Sequence, residues 1–169
     1  DRLLKMQLEV ARRRKHRVML GVLRTERGAA ARGTRELISR YAGVEPTENE
    51  GVNWKIVDSL LRRGIAGVTV TPPKGVDLSQ DEIFAELSGV LSLGVPVALY
   101  QLPQITENRM EPETVAALEE KHPTLFLVKD SSGEDTIAES GRDFHGLFFV
   151  RGAEGGYADH LKSAGGHYD

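Results

Sequence analysis

VPVALYQLP, residues 95–103, and LFLVKDSSG, residues 125–133, decide the fold. Each is a short apolar run closed by one polar side chain, Tyr100 in the first and Lys129 in the second. Between them Val115 and Leu118 mark a helical face, and His122 ahead of Pro123 gives the stop signal. The apolar runs are continuous, with no in/out alternation. Both faces of each strand should therefore be covered, as they are when parallel strands are wrapped by crossover helices.

The same grammar extends outward in both directions. Apolar strands are expected near Val18 to Leu23, Ile65 to Val70, Val95 to Tyr100, Leu125 to Lys129 and Leu147 to Val150. Leu4, Leu8 and Ala11 predict an amphipathic helix over residues 1 to about 15, ending in a basic cluster. Val52, Ile56 and Leu60 with Val57 and Leu61 predict another, closed by Gly64; Ile83, Phe84, Leu87, Val90 and Leu91 a third, closed by Gly94. The long stretch from Thr25 to Glu50 should hold a short helix around Glu36 to Tyr41 and then an exposed loop.

Alternating strands and helices give an α/β class with a parallel sheet, either a (β/α)8 barrel or a doubly wound sheet. Five strands are countable, whereas a complete eight-stranded barrel takes about 250 residues. If the fold is a barrel, residues 1–169 form a single domain that is its central portion, without the first strands and without the last strand and its C-terminal helices. The opening residues Asp1 to Lys5 carry neither an initiator methionine nor a signal peptide, so the start is expected to be a cut.

Composition narrows the function. With 22 Lys and Arg against 25 Asp and Glu, the formal charge of -3 gives no global attraction to nucleic acid or an anionic membrane. The absence of cysteine excludes disulfides, iron–sulfur clusters and cysteine-based zinc sites, and it is compatible with a cytoplasmic protein. No apolar run approaches the roughly 20 residues of a membrane helix. Arg12, Arg13, Arg14, Lys15, His16 and Arg17 form a basic run, but it closes a helix, where cations suit the dipole. His16, His122, His145, His160 and His167 share no paired ligand spacing, so no metal is expected. Gly152, Gly155 and Gly156 make neither a dinucleotide fingerprint nor a P-loop.

In parallel α/β folds reactive groups collect at the carboxyl ends of the strands. Tyr100 and Lys129 sit there, 29 positions apart, one strand–helix unit. Successive strands lie about 4.8 Å apart, so the two side chains should nearly touch. At its reference pKa of about 10.4 a lysine is only about 0.04% neutral at pH 7, and burial at an apolar strand end is the usual activation of an amine nucleophile. The alternative from position alone is that Lys129 snorkels to water and pairs with Asp130, while Tyr100 is a half-buried aromatic with a wet hydroxyl.

Tyr100, Gln101, Leu102, Pro103 followed by Leu127, Val128, Lys129, Asp130, Ser131, Ser132, Gly133 resembles the paired signatures of the N-acetylneuraminate lyase and dihydrodipicolinate synthase family. There a strand ending Tyr-Asn-x-Pro precedes one ending in hydrophobic-Lys-Asp/Glu-Ser/Thr-Ser/Thr-Gly. Gly67 to Pro72, and Phe149, Val150, Arg151, Gly152 ahead of Ala164, Gly165, Gly166, extend the resemblance. It implies a (β/α)8 barrel and a class I aldolase or lyase that makes or cleaves a carbon–carbon bond of a pyruvate-type 2-oxo acid. Lys129 would form the Schiff base and Tyr100 would relay protons, with Ser131, Gly152 and Glu154 lining the substrate pocket. It also implies no metal or organic cofactor, a 2-oxo acid and an aldehyde as partners, and a homodimer or homotetramer.

The departures bear on substrate. Dihydrodipicolinate synthases carry an arginine shortly after the tyrosine segment to hold the second substrate's carboxylate, and here the matching residue is Ile105. Pro73 and Lys74 stand where that family has aromatic residues, and Gln101 replaces the commoner asparagine. The resemblance therefore argues against authentic dihydrodipicolinate synthase activity. The family's Gly-Thr-Thr-Gly-Glu-like loop for the pyruvate carboxylate belongs upstream of residue 1. A non-catalytic barrel homologue binding a small organic acid or a protein partner is the competing expectation.

Overall fold

A computed structural model of the chain describes residues 18–22, 33–45, 52–153, 155–156 and 158. In chain order the elements are β1 (Val18–Val22), α1 (Thr34–Ala42), α2 (Trp54–Arg62), β2 (Ile65–Val70), α3 (Gln80–Leu91), β3 (Val97–Gln101), α4 (Pro103–Thr106), α5 (Pro112–Lys121), β4 (Leu125–Asp130) and β5 (Phe148–Arg151). The helix expected over residues 1 to about 15, the basic run Arg12 to Arg17, Glu154, His16, His160, His167 and the segment Ala164 to Gly166 lie outside the described residues.

The five strands form one sheet in the order β1-β2-β3-β4-β5, every pair parallel. A doubly wound sheet reverses its strand order at a switch point, and the five described strands do not. Right-handed crossovers that always step the same way put every helix on the same face of the sheet. Such a sheet is the wall of a (β/α)8 barrel, which rules out the doubly wound alternative.

One face of the wall packs on the helices. Val68, Val70, Val97, Leu99 and Val128 are fully buried there, in one cluster with Ile56 and Leu60 of α2, Ile83 and Leu87 of α3 and Val115 and Leu118 of α5. Burying a side chain of this kind stabilises by about 1.5–3 kcal/mol, so the wall is held chiefly from its helical side. The opposite parity, with Thr69, Tyr100, Lys129 and Val150, is partly exposed, and Phe148 is 62% exposed. The expectation that both strand faces are covered thus holds for the helical face of the described sheet and not for its inner face.

Several ends differ from the sequence reading for identifiable reasons. β3 begins at Val97 and not at Val95, because Pro96 has no N–H to give the ladder. Its carbonyl instead accepts from the Val68 amide at 2.9 Å. β4 and β5 each run one residue past their expected ends at Lys129 and Val150, since Asp130 pairs with Gln101 on one side and Arg151 on the other. The helix read around Glu36 to Tyr41 spans Thr34–Ala42, and Gly43, at φ 69°, closes it. Gly67 allows the close spacing of the first three strands: a Cβ there would fall against the Pro96 carbonyl and within 2.9 Å of the Met19 methyl. Among the described residues no helix is long and apolar enough to cross a membrane.

Candidate active site

Two rows of side chains end the strands. In the register of the sheet Tyr100 stands opposite Lys129, and Lys129 opposite Val150. One residue further on, Gln101, Asp130 and Arg151 form the second row. Strand alternation sends the two rows to opposite faces, the first to the inner face and the second toward the helices.

Lys129 lies across the phenol: its Nζ is 4.3 Å from the centroid of the Tyr100 ring. The pairing with Asp130 that snorkelling would bring is not formed. Asp130 is buried on the other face, and its Oδ1 accepts the Ser132 amide at 2.7 Å. The Tyr100 hydroxyl is 3.2 Å from Ser131 Oγ, either oxygen being able to donate. Ser131 is itself fixed at both peptide groups. Its N–H donates to the Gln101 carbonyl at 3.0 Å, and its carbonyl accepts from Gln104 Nε2 at 2.9 Å.

Gly152 completes the group. Its amide donates to the Asp130 carbonyl at 2.6 Å, and its Cα presses so closely on Ser131 that a Cβ would collide with the serine hydroxyl. Tyr100, Lys129, Ser131 and Gly152 are thereby brought together at the carboxyl ends of β3, β4 and β5. Glu154 is not placed, because it falls outside the described residues.

The second row holds features that the sequence did not disclose. Gln101 is fully buried and bonds both peptide groups of Met110: its Nε2 donates to the carbonyl and its Oε1 accepts the amide, each at 3.0 Å. Arg151 Nε donates to Asp135 Oδ2 at 2.7 Å in an ion pair whose side chains are 8% and 6% exposed. The one signal for that pair was a cation ending the apolar run Phe148 to Val150; nothing marked Asp135. Above the row Arg109 grips Glu134 through both guanidinium nitrogens. That hydrogen bonding holds the Glu134 carboxyl below the ordinary range and the guanidinium above its own.

The positions that depart from the family pattern are also in place. Ile105 sits on α4 with its side chain 37% exposed. Lys74 Nζ is 3.4 Å from Glu107 Oε1, and the Gly75 amide donates to the Thr106 carbonyl at 2.9 Å, tying the loop after β2 to the loop after β3. Among the described residues no group of three or more His, Asp or Glu side chains could hold a metal ion.

An in-order parallel wall with a polar row at its carboxyl rim defines a protein of the (β/α)8-barrel class. The model of the dihydrodipicolinate synthetase family matches residues 47–164, and the chain belongs to that family. The 2-dehydro-3-deoxy-D-gluconate/2-dehydro-3-deoxy-phosphogluconate aldolase of Picrophilus torridus is 31% identical over 94 residues, which is 55% of this chain and 35% of that protein. A 4-hydroxy-tetrahydrodipicolinate synthase of Rhizobium meliloti is 30% identical over 91 residues, 53% of this chain and 31% of that protein. Among solved structures, the 2-keto 3-deoxygluconate aldolase from Picrophilus torridus shares the fold with a TM-score of 0.59 at 23% identity, over 88% of this chain and 47% of that one. The chain thus spans about a third of the curated relatives and about half of that structure.

Proposed function

We propose that this chain carries the Schiff-base lysine of a class I aldolase or lyase acting on a pyruvate-type 2-oxo acid. The observation that carries the assignment is the Lys129 Nζ resting 4.3 Å from the Tyr100 ring centroid, with the Tyr100 hydroxyl 3.2 Å from Ser131 Oγ at the rim of the wall. The neutral amine adds to the ketone carbon of the 2-oxo acid to give a carbinolamine. Tyr100, in contact with Ser131, passes a proton to the departing hydroxyl, water leaves and a protonated imine forms. The imine draws electrons from the adjacent carbon, which is deprotonated to an enamine that adds to an aldehyde; cleavage runs the same steps backward. By the family resemblance Ser131, the backbone of Gly152 and Glu154 would contact the substrate. The chain acts as part of a single barrel domain, with a 2-oxo acid and an aldehyde as its small-molecule partners and a homo-oligomer as its assembly.

Membership of a family whose named relatives include aldolases and synthases supports this reading. Ile105 offers no cation for a second carboxylate, and Lys74 stands where aromatic residues are expected, which supports a substrate other than that of the lysine-pathway enzyme. Treating the intact protein with pyruvate and borohydride should add a covalent mass at Lys129, lost in Lys129→Ala. An unmodified Lys129 at saturating pyruvate would leave the second reading, a non-catalytic homologue that binds a small acid or a partner, and calorimetry with 2-oxo acids would then detect binding without turnover.

A further inference from the structure

Arg151 is the last residue of β5 and immediately precedes Gly152. Its guanidinium makes three contacts: Nε donates to Asp135 Oδ2 at 2.7 Å, and Nη1 donates to the Ala153 carbonyl at 3.2 Å and to the Gly155 carbonyl. The ion pair is more than nine-tenths buried on both sides, and Asp135 is held at φ 54°, a conformation uncommon outside glycine. The carbonyls of Ala153 and Gly155 are therefore tied to a fixed cation. Gly152 lies between this cation and the Ala153 carbonyl it holds, and it lies directly on Ser131, whose hydroxyl meets Tyr100.

We propose that Arg151, anchored by Asp135, is a positioning residue for the pocket: it presses Gly152 onto Ser131 and so keeps the Ser131 hydroxyl on Tyr100. The assignment rests on the aldolase reading above and adds to it a residue that touches no substrate. The planar fork fixes the angle between the carboxylate on Nε and the two carbonyls on Nη1; a lysine ammonium keeps the charge and three donors but loses that fixed geometry. Arg151→Lys is therefore the informative substitution. Removing the charge altogether would take a buried counter-ion from Asp135 and disturb folding as well.

The experiment is a double-mutant cycle on the intact protein with pyruvate as the probe and the rate of borohydride-trapped adduct at Lys129 as the readout. Arg151→Lys should slow trapping about tenfold when Ser131 is present and less than twofold in a Ser131→Ala background, since the path to Tyr100 is already cut there. Equal slowing in both backgrounds, or a wild-type rate in Arg151→Lys, overturns the assignment. Should Arg151→Lys fail to fold, Asp135→Glu, which keeps the buried charge pair and displaces the anchor by one methylene, is held to the same two criteria. A wild-type protein that gives no adduct fails the aldolase reading, and this one with it. An adduct in wild type with multiplicative losses fails this one alone.

Discussion

Gly152→Ala tests the site at its tightest contact. The added methyl would collide with the Ser131 hydroxyl and lie 3.1 Å from Ser131 Cβ and 3.3 Å from the Asp130 carbonyl oxygen. The backbone of Gly152 is not in the left-handed region, so the cost is one of space alone. Ser131 can rotate its hydroxyl away and forfeit the 3.2 Å contact with Tyr100, or β5 can move away from β4. The first route costs about 0.5–1.5 kcal/mol for the lost hydrogen bond, and the second about 1–3 kcal/mol for an overpacked interior. A loss of 1.4 kcal/mol in the transition state is about tenfold in rate. Urea unfolding should therefore show Gly152→Ala destabilised by about 1–3 kcal/mol, and borohydride trapping should slow about tenfold or more. Adding Ser131→Ala removes the colliding oxygen and should restore part of the stability while leaving trapping slow. A single variant as stable as wild type, or a double variant no more stable than the single, would refute the packing described between Gly152 and Ser131.

Tyr100→Phe keeps the ring under the Lys129 amine and removes only the hydroxyl, so trapping should fall by about 10²–10⁴ with little change in the unfolding midpoint; an undiminished rate excludes Tyr100 from proton transfer. Gln101→Leu leaves the buried amide and carbonyl of Met110 without partners, at about 1–3 kcal/mol for each, and denaturant unfolding at pH 7 should register the loss. His122 is buried with its Nε2 2.6 Å from Ser88 Oγ, and burial first, then the nearby Lys121 charge, lowers its pKa from 6.5. The unfolded chain therefore binds the proton more readily, so stability is full above pH 6.5 and declines as the pH falls toward the lowered folded value. His122→Asn should flatten that acid slope between pH 7 and 5, and a slope unchanged in the variant would assign it to other groups.

The wall was legible because its cause is local. Continuous apolar runs set between helices that stop at Gly64, Gly94 and His122 suffice to alternate strand with helix, and the 29-residue step from Tyr100 to Lys129 matches their register in the sheet. Strand ends were less legible, because a ladder can continue through polar residues: Asp130 and Arg151 pair as readily as the valines before them. The short helix Pro103–Thr106 carried only a proline at its first turn, a weak mark in four residues. The ion pair of Asp135 with Arg151 was not legible at all. Its members are 16 positions apart on an irregular segment and a strand end, and no periodicity links them.

Because neighbouring residues of a strand face opposite ways, the rear wall of this rim is built by Gln101, Asp130 and Arg151, side chains that no substrate would meet. Selection or engineering can therefore retune the exposed row from behind, shifting the backbone that carries Tyr100, Lys129 and Gly152 without replacing any of them. Libraries that test the proposed reaction should include this hidden tier beside the exposed row, and inherited differences among relatives should be sought there too.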